Sequence, residues 1–210
     1  MTPQLAVSGG RLALLVALFY LGWVKFQFDG TTVYFIDYAE RLAIIALAWA
    51  FLRQAFTPPW PRAPLWLWAV ALGGSVAILF LDHQTADLIE IHASALLPIG
   101  EADFPPLEDD LFLAFDMTAG LALVAVSEEL VFRCLWMRWW QQRNDGSNAR
   151  VAELYLGSSL VFGMLHMPLG QAQVLFAILW GLLLMFLYRR SGSLPLVVLV
   201  HFAVDVWYFT

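Results

Sequence analysis

The chain has 210 residues, of which 61% are hydrophobic and 13% are charged. A soluble domain usually carries about 25% charged residues and 45–50% apolar ones, so this composition excludes an ordinary water-soluble fold. The formal net charge is −6, and the sequence has no basic tract that could follow a phosphate backbone, which argues against nucleic-acid binding.

Long apolar runs follow one another along the chain, and a helix needs roughly 20 apolar residues to cross the hydrocarbon core of a bilayer. They predict seven spans, over residues 12–28, 38–56, 64–81, 111–140, 151–167, 169–188 and 194–209. No small-residue cleavage site follows the first run, so we expect a first span rather than a removed leader. The predicted fold is an all-α, polytopic helix bundle that forms a single membrane domain.

Arginines are concentrated in the connections after the second, fourth and sixth predicted spans. They are Arg53, Arg62, Arg138, Arg143, Arg150, Arg189 and Arg190. If seven spans alternate, these connections share one side, and the positive-inside rule makes that side cytoplasmic. The N-terminus is then cytoplasmic and the C-terminus extracytoplasmic. Residues 82–110 form an acidic extracytoplasmic loop, either an amphipathic surface helix or an ordered connector.

The fourth predicted span contains three formal charges, on Glu128, Glu129 and Arg133. A charged side chain at a helix centre costs about 2.5–3.5 kcal/mol on insertion scales, so a functional site is the first hypothesis. Adjacent helical residues point about 100° apart, whereas residues four apart share a face. We therefore predict that Glu129 pairs with Arg133 and that Glu128 is left free to face a cavity as a general base.

Two histidines lie in other predicted spans, His201 at a depth similar to that of Glu128 and His166 closer to the outer side. His166 ends the fifth span, and His201 lies in the seventh, four residues before Asp205, which can therefore orient its ring. A single membrane histidine is often only an interhelical hydrogen-bond partner. Six such polar residues on three spans are harder to explain by packing, so we predict a site within the bilayer between the fourth, fifth and seventh helices.

Three motifs carry a resemblance to a known family. They read Glu128-Glu129-x-x-x-Arg133, Phe162-x-x-x-His166 and His201-x-x-x-Asp205. Their order and their places on separate apolar spans resemble the CPBP family, which comprises CAAX proteases and bacteriocin-processing or Abi-type immunity proteins and is also called the glutamic intramembrane proteases. The resemblance covers about residues 111–210, which we interpret as a four-span catalytic core behind three N-terminal spans (1–81).

The resemblance also implies roles for the residues and no cofactor. Glu128 matches the glutamate that, together with the histidine matched by His166, activates water. His201 and Asp205 match the pair that stabilises the oxyanion, while Glu129 and Arg133 match the supporting pair.

Asp205 departs from the family pattern, which commonly has Asn at this position. Asn offers an N–H donor, whereas an ionised Asp only accepts hydrogen bonds. Either Asp205 is protonated, or it only orients His201, which then donates alone to the oxyanion.

The predicted function is a glutamic-type endopeptidase that acts on a membrane protein or a lipidated peptide in the lipid bilayer. One alternative is a zinc-dependent protease whose metal is held by Glu128, His166 and His201. Another is a non-proteolytic immunity or transport protein. The substrate classes left open are a prenylated C-terminal tail, a C-terminal sorting signal and a bacteriocin leader. The sequence favours a prokaryotic inner-membrane enzyme and leaves the oligomeric state open.

Overall fold

A computed structural model of the chain describes residues 8–52, 63–93, 104–143 and 148–209, and every regular element in these ranges is helical. Within them, seven helical bodies follow in chain order. They are α1 Gly9–Leu21, α2 Thr32–Leu52, α3 Leu65–Ala93, α4 Asp110–Gln141, α5 148–164, α6 Gln171–Ser191 and α7 Leu194–Phe209.

Four of these bodies are long and apolar enough to cross a membrane. They are Gly9–Gln27, which includes the 3-10 turn Gly22–Gln27 after α1, and Leu65–His92, Asp110–Gln141 and Gln171–Ser191. Helix α7 is apolar but shorter. The chain is therefore an integral membrane protein built as a helix bundle, as its composition predicts. Crossing by α2, α5 and α7 stays a prediction.

The outer face of α3 carries the apolar surface that a bilayer would cover. Leu72, Val76 and Phe80 recur every four residues, on one side of the helix, and all three are exposed. Contiguous apolar patches of this kind are uncommon on soluble monomers. The exposed face of α3 is therefore suited to lipid rather than to water.

Helix α3 continues beyond the predicted end of the third span. No glycine or proline interrupts residues 82–93, so the helix continues through the polar sequence as far as Ala93. Glu90 in this extension accepts a hydrogen bond from the backbone N–H of Ala172 at 2.6 Å, near the start of α6. The first part of the predicted acidic loop is thus helical, and residues 94–103 lie outside the described residues.

Gly170 makes this contact between α3 and α6 possible. Its φ of +107° is one that residues with a Cβ rarely adopt. A Cβ at this position would also lie 2.7 Å from Oε1 of Glu90. Glycine is therefore required here by both the backbone and the space.

Two stretches of α4, Asp116–Gly120 and Leu130–Leu135, are π-helical. Single π turns inside α-helices occur frequently at functional sites, and the second of these begins directly after Glu129. The hydroxyl of Ser158 on α5 donates to the carbonyl of Phe132 at 2.7 Å. This bond satisfies a backbone group in the widened turn, where no water is available to do so.

Helices α5 and α6 approach each other closely at Gly163. A Cβ on this residue would lie 2.3 Å from Cγ1 of Ile178 and 2.8 Å from the carbonyl oxygen of Val174. Small residues let membrane helices approach to this distance. The contact fixes the position of the end of α5 and therefore the positions of Phe162 and His166.

Candidate active site

A cavity of about 770 Å³ lies among the helices and is large enough for several residues of a peptide. Four residues singled out from the sequence line it: Glu128, His166, His201 and Asp205. Glu129 and Arg133 lie behind the cavity wall, and their side chains are 0% exposed. The structure thus brings α4, the end of α5 and α7 together, as the three motifs predict.

Glu128 has a charged partner that the sequence analysis missed. Nη1 of Arg41, on α2, donates to Oε1 of Glu128 at 2.6 Å, and both side chains are buried. The prediction that Glu128 is left without an ion-pair partner is therefore wrong. The pair forms because a buried carboxylate needs a compensating charge, and Arg41 reaches it from a neighbouring helix.

The second oxygen of Glu128 is differently placed. Oε2 accepts no hydrogen bond from the residues that the structure describes, and it lies 3.8 Å from Nε2 of His201. A carboxylate has lone pairs for about four hydrogen bonds. Glu128 is therefore held at one oxygen and has unused acceptor capacity at the other.

Glu129 bridges two helices. Its Oε2 lies 3.1 Å from Nε of Arg133, the ion pair that their spacing predicts. Its Oε1 lies 2.9 Å from Nδ1 of His201 on α7. Because a carboxylate only accepts, Nδ1 of His201 carries the hydrogen of this bond, and Glu129 sets the orientation of that ring.

Asp205 approaches the opposite side of the same ring. Its Oδ2 lies 3.5 Å from Nε2 of His201, and its side chain is 17% exposed. The two residues thus share a helical face, as predicted. Glu129 makes the shorter contact with the ring, so the orienting role that the spacing predicts for Asp205 is carried largely by Glu129.

His166 lies at the end of α5, where its Nδ1 is 3.1 Å from the carbonyl oxygen of Phe162. The carbonyl can only accept, so Nδ1 carries the hydrogen, and in the neutral ring Nε2 is an acceptor. The centre of the Phe162 ring lies 4.8 Å from Cζ of Arg133 and 5.0 Å from the centre of the His166 ring. Phe162 therefore forms an aromatic wall that separates the buried arginine from the cavity.

A second group of charged residues lines the cavity from the N-terminal half of the chain. Lys25 forms a buried ion pair with Asp37 and lies 3.4 Å from Oε2 of Glu40. Asp37 in turn lies 3.4 Å from Nε of Arg41. Arg41 and Lys25 lie within predicted apolar spans, so the cost of burying a charge was the sequence signal that could have identified them.

In the described part of the chain, no three His, Cys, Asp or Glu side chains form a group that could hold a metal ion. The buried Cys134 likewise makes no disulfide.

Comparison with known protein families finds a match over the C-terminal part of the chain. Residues 110–207 match the family model described as Type II CAAX prenyl endopeptidase Rce1-like. The match contains all three motifs and ends two residues after Asp205. No curated protein and no solved structure matches the chain significantly.

Proposed function

We propose that the chain is a glutamic-type endopeptidase of the CPBP family of CAAX-type intramembrane proteases, a proposal that the match of residues 110–207 to the Rce1-like family model supports. One observation carries the proposal. The carboxylate of Glu128, fixed at one oxygen by Arg41, shares a buried cavity with the rings of His166 and His201. A base and two imidazoles around one space can activate a water and stabilise the oxyanion that its attack forms.

In the proposed first step, a water molecule lies between Glu128 and His166. Oε2 of Glu128 takes one proton, and Nε2 of His166 accepts a hydrogen bond from the other hydrogen. The water oxygen attacks the scissile carbonyl carbon and forms the tetrahedral oxyanion. General-base help of this kind contributes about 10²–10⁴ in rate.

His201 stabilises the oxyanion in this proposal. Its Nδ1 hydrogen is engaged by Glu129, so donation from Nε2 requires the doubly protonated ring. The carboxylates of Glu128, Glu129 and Asp205 lie within 3.8 Å of that ring and balance its charge. A donor aimed at the oxyanion in a water-poor site is worth about 10²–10³ in rate.

In the second step, the tetrahedral intermediate collapses. The carbon–nitrogen bond breaks, and Glu128 returns its proton to the leaving amine nitrogen. The products are a new carboxyl group and a new amine, with one water molecule consumed. Because water attacks directly, no acyl-enzyme forms.

The test uses the full-length protein in lipid nanodiscs with a peptide mixture, read by mass spectrometry in ¹⁸O-water. We expect new peptide C-termini that carry ¹⁸O, and an approximately 10²–10⁴-fold loss of cleavage on Glu128→Ala, because the general base is removed. Hydroxylamine should trap no acyl-enzyme, and a tight chelator should leave the rate unchanged. Cleavage that survives in Glu128→Ala, or chelator inhibition reversed by zinc, contradicts the mechanism.

We further propose that the chain crosses the membrane seven times, with the N-terminus in the cytoplasm and the site within the bilayer. The arginine connections support this orientation, as does the position of Arg189 and Arg190 at the end of α6. The acidic segment between α3 and α4 is then extracytoplasmic. We also propose that this membrane is a prokaryotic inner membrane.

The proposed substrate is a membrane-associated protein that is cut near its C-terminus or leader. A prenylated tail, a sorting signal and a bacteriocin leader all present a peptide next to lipid, and a processing or sorting role is our preferred reading. Comparison of membrane-protein termini in cells that express the wild type and Glu128→Ala would distinguish the three classes.

A further inference from the structure

Arg41 lies on α2, outside the matched residues 110–207, yet it makes the shortest polar contact to the proposed base. We propose that Arg41 is a positioning residue of the active site, which holds Oε1 of Glu128 so that Oε2 faces the attacking water. This inference rests on the proposed function. It adds that the catalytic apparatus is completed by the N-terminal half of the chain.

The contacts of Arg41 converge on the segment that carries Glu128. Its Nη1 donates to Oε1 of Glu128 at 2.6 Å and lies 3.3 Å from the hydroxyl of Ser127. One guanidinium nitrogen thus reaches two consecutive residues of α4. A planar guanidinium with fixed donors restricts the carboxylate more than a single flexible ammonium group would.

Arg41 is itself held from the side away from Glu128. Its Nε lies 3.4 Å from Oδ1 of Asp37, one turn earlier on α2. Asp37 is anchored by its ion pair with Lys25, and the Arg41 guanidinium lies 5.1 Å from the centre of the Phe19 ring. These contacts leave the guanidinium little freedom, so its position determines that of Glu128.

Arg41 and Arg133 are both buried, but they differ in their access to the cavity. Arg41 lines the cavity together with Glu128, whereas Arg133 does not and its side chain is 0% exposed. A small cation that enters the cavity can therefore reach the place of the Arg41 guanidinium but not that of Arg133. This difference provides a specific test.

The variants are Arg41→Ala, Arg41→Lys and the surface control Arg190→Ala, each as full-length protein in nanodiscs. A misplacement of about 1 Å can cost about 10²-fold in rate. We expect Arg41→Ala to lose about this factor in kcat, with KM changed less than about threefold, because ground-state binding is kept. Arg41→Lys should retain an intermediate kcat, and Arg190→Ala should match the wild type.

Chemical rescue distinguishes positioning from folding. Added guanidinium ion should restore the kcat of Arg41→Ala at least tenfold, whereas the neutral analogue methylurea should not, since both fit the space but only one carries charge. Guanidinium should restore neither Glu128→Ala, which lacks the base, nor Arg133→Ala, whose site is closed.

The outcomes separate this inference from the proposed function. An unchanged kcat in Arg41→Ala, a loss confined to KM, or a folded variant that guanidinium cannot restore each overturns the role of Arg41, while inactivity of Glu128→Ala still supports the protease. Cleavage by Glu128→Ala overturns the proposed function itself. If Arg41→Ala does not fold, Arg41→Lys decides, because full wild-type kcat in that variant contradicts the fixed guanidinium geometry.

Discussion

Two neighbouring glutamates have different surroundings although they differ by one position in the sequence. Glu128 meets Arg41 and keeps one oxygen without a hydrogen bond. Glu129 is enclosed and joins Arg133 to His201. The first arrangement leaves a carboxylate able to take a proton, and the second holds a carboxylate in place as a fixed charge.

The residue-level prediction compares Glu129→Gln with Asp205→Asn. The first change leaves the fully buried Arg133 without a counter-charge, so we expect a loss of about 3–5 kcal/mol in the free energy of unfolding and loss of cleavage. Asp205→Asn should fold normally and keep its activity, because Glu129 already orients His201 and an amide can donate to the oxyanion. Thermal unfolding and peptide cleavage, measured together, provide the comparison. A stable, active Glu129→Gln would refute this division of roles.

The polar groups of α4 and α7 were predictable from sequence because a charge in an apolar run is conspicuous and the i, i+4 spacing gives the face. The partner of Glu128 was not, because Arg41 comes from a helix 87 residues away in sequence and local spacing contains no information on that packing. The charge of Arg41 in an apolar run marks it as a candidate, but it does not indicate which carboxylate Arg41 contacts.

At the level of helices, the hydropathy pattern predicts where an apolar run stops rather than where a helix ends. The third span illustrates the difference, since α3 extends to Ala93 through residues that are polar but helix-compatible. The π-helical turn after Glu129 had no sequence signal of its own. Within this turn, the carbonyl of Phe132 accepts a hydrogen bond from Ser158 of another helix.

Gly163 provides the helix-level prediction. An added methyl group would overlap Ile178 and the backbone of Val174, so Gly163→Ala should separate α5 from α6 and cost about 1–3 kcal/mol in stability. The displacement should also lower the cleavage rate, because His166 lies at the same end of α5. Gly73→Ala is the matched control, since nothing lies within 4 Å of its added Cβ, and it should leave both quantities unchanged. Equal effects of the two changes would contradict the close-packing argument.

For the whole molecule, the apolar composition sufficed to predict an all-helical membrane bundle, because its surface must suit lipid. The number of crossings does not follow from composition, since within the described ranges four helical bodies meet the length and hydropathy of a span. The cavity also depends on helices from both halves of the chain, an arrangement that no single apolar run specifies.

The topology prediction uses the single cysteine of the chain. In a Cys134→Ser background, Ser191→Cys should react with a membrane-impermeant maleimide only after the cells are opened, because the proposed orientation places the arginine connections in the cytoplasm. Glu108→Cys, at an exposed position before α4, should react in intact cells. Labelling of both positions in intact cells, or the reverse pattern, would contradict seven alternating spans.

The ion pair between α2 and α4 has a practical consequence for protein engineering. A chimaera that transplants residues 110–207 onto a foreign set of leading helices would inherit every motif residue and still lack the cation that contacts the proposed base, Glu128. Grafts of this kind should be designed as pairs of helices, with the recipient scaffold chosen for an arginine that can reach the carboxylate, rather than by similarity of the motifs alone.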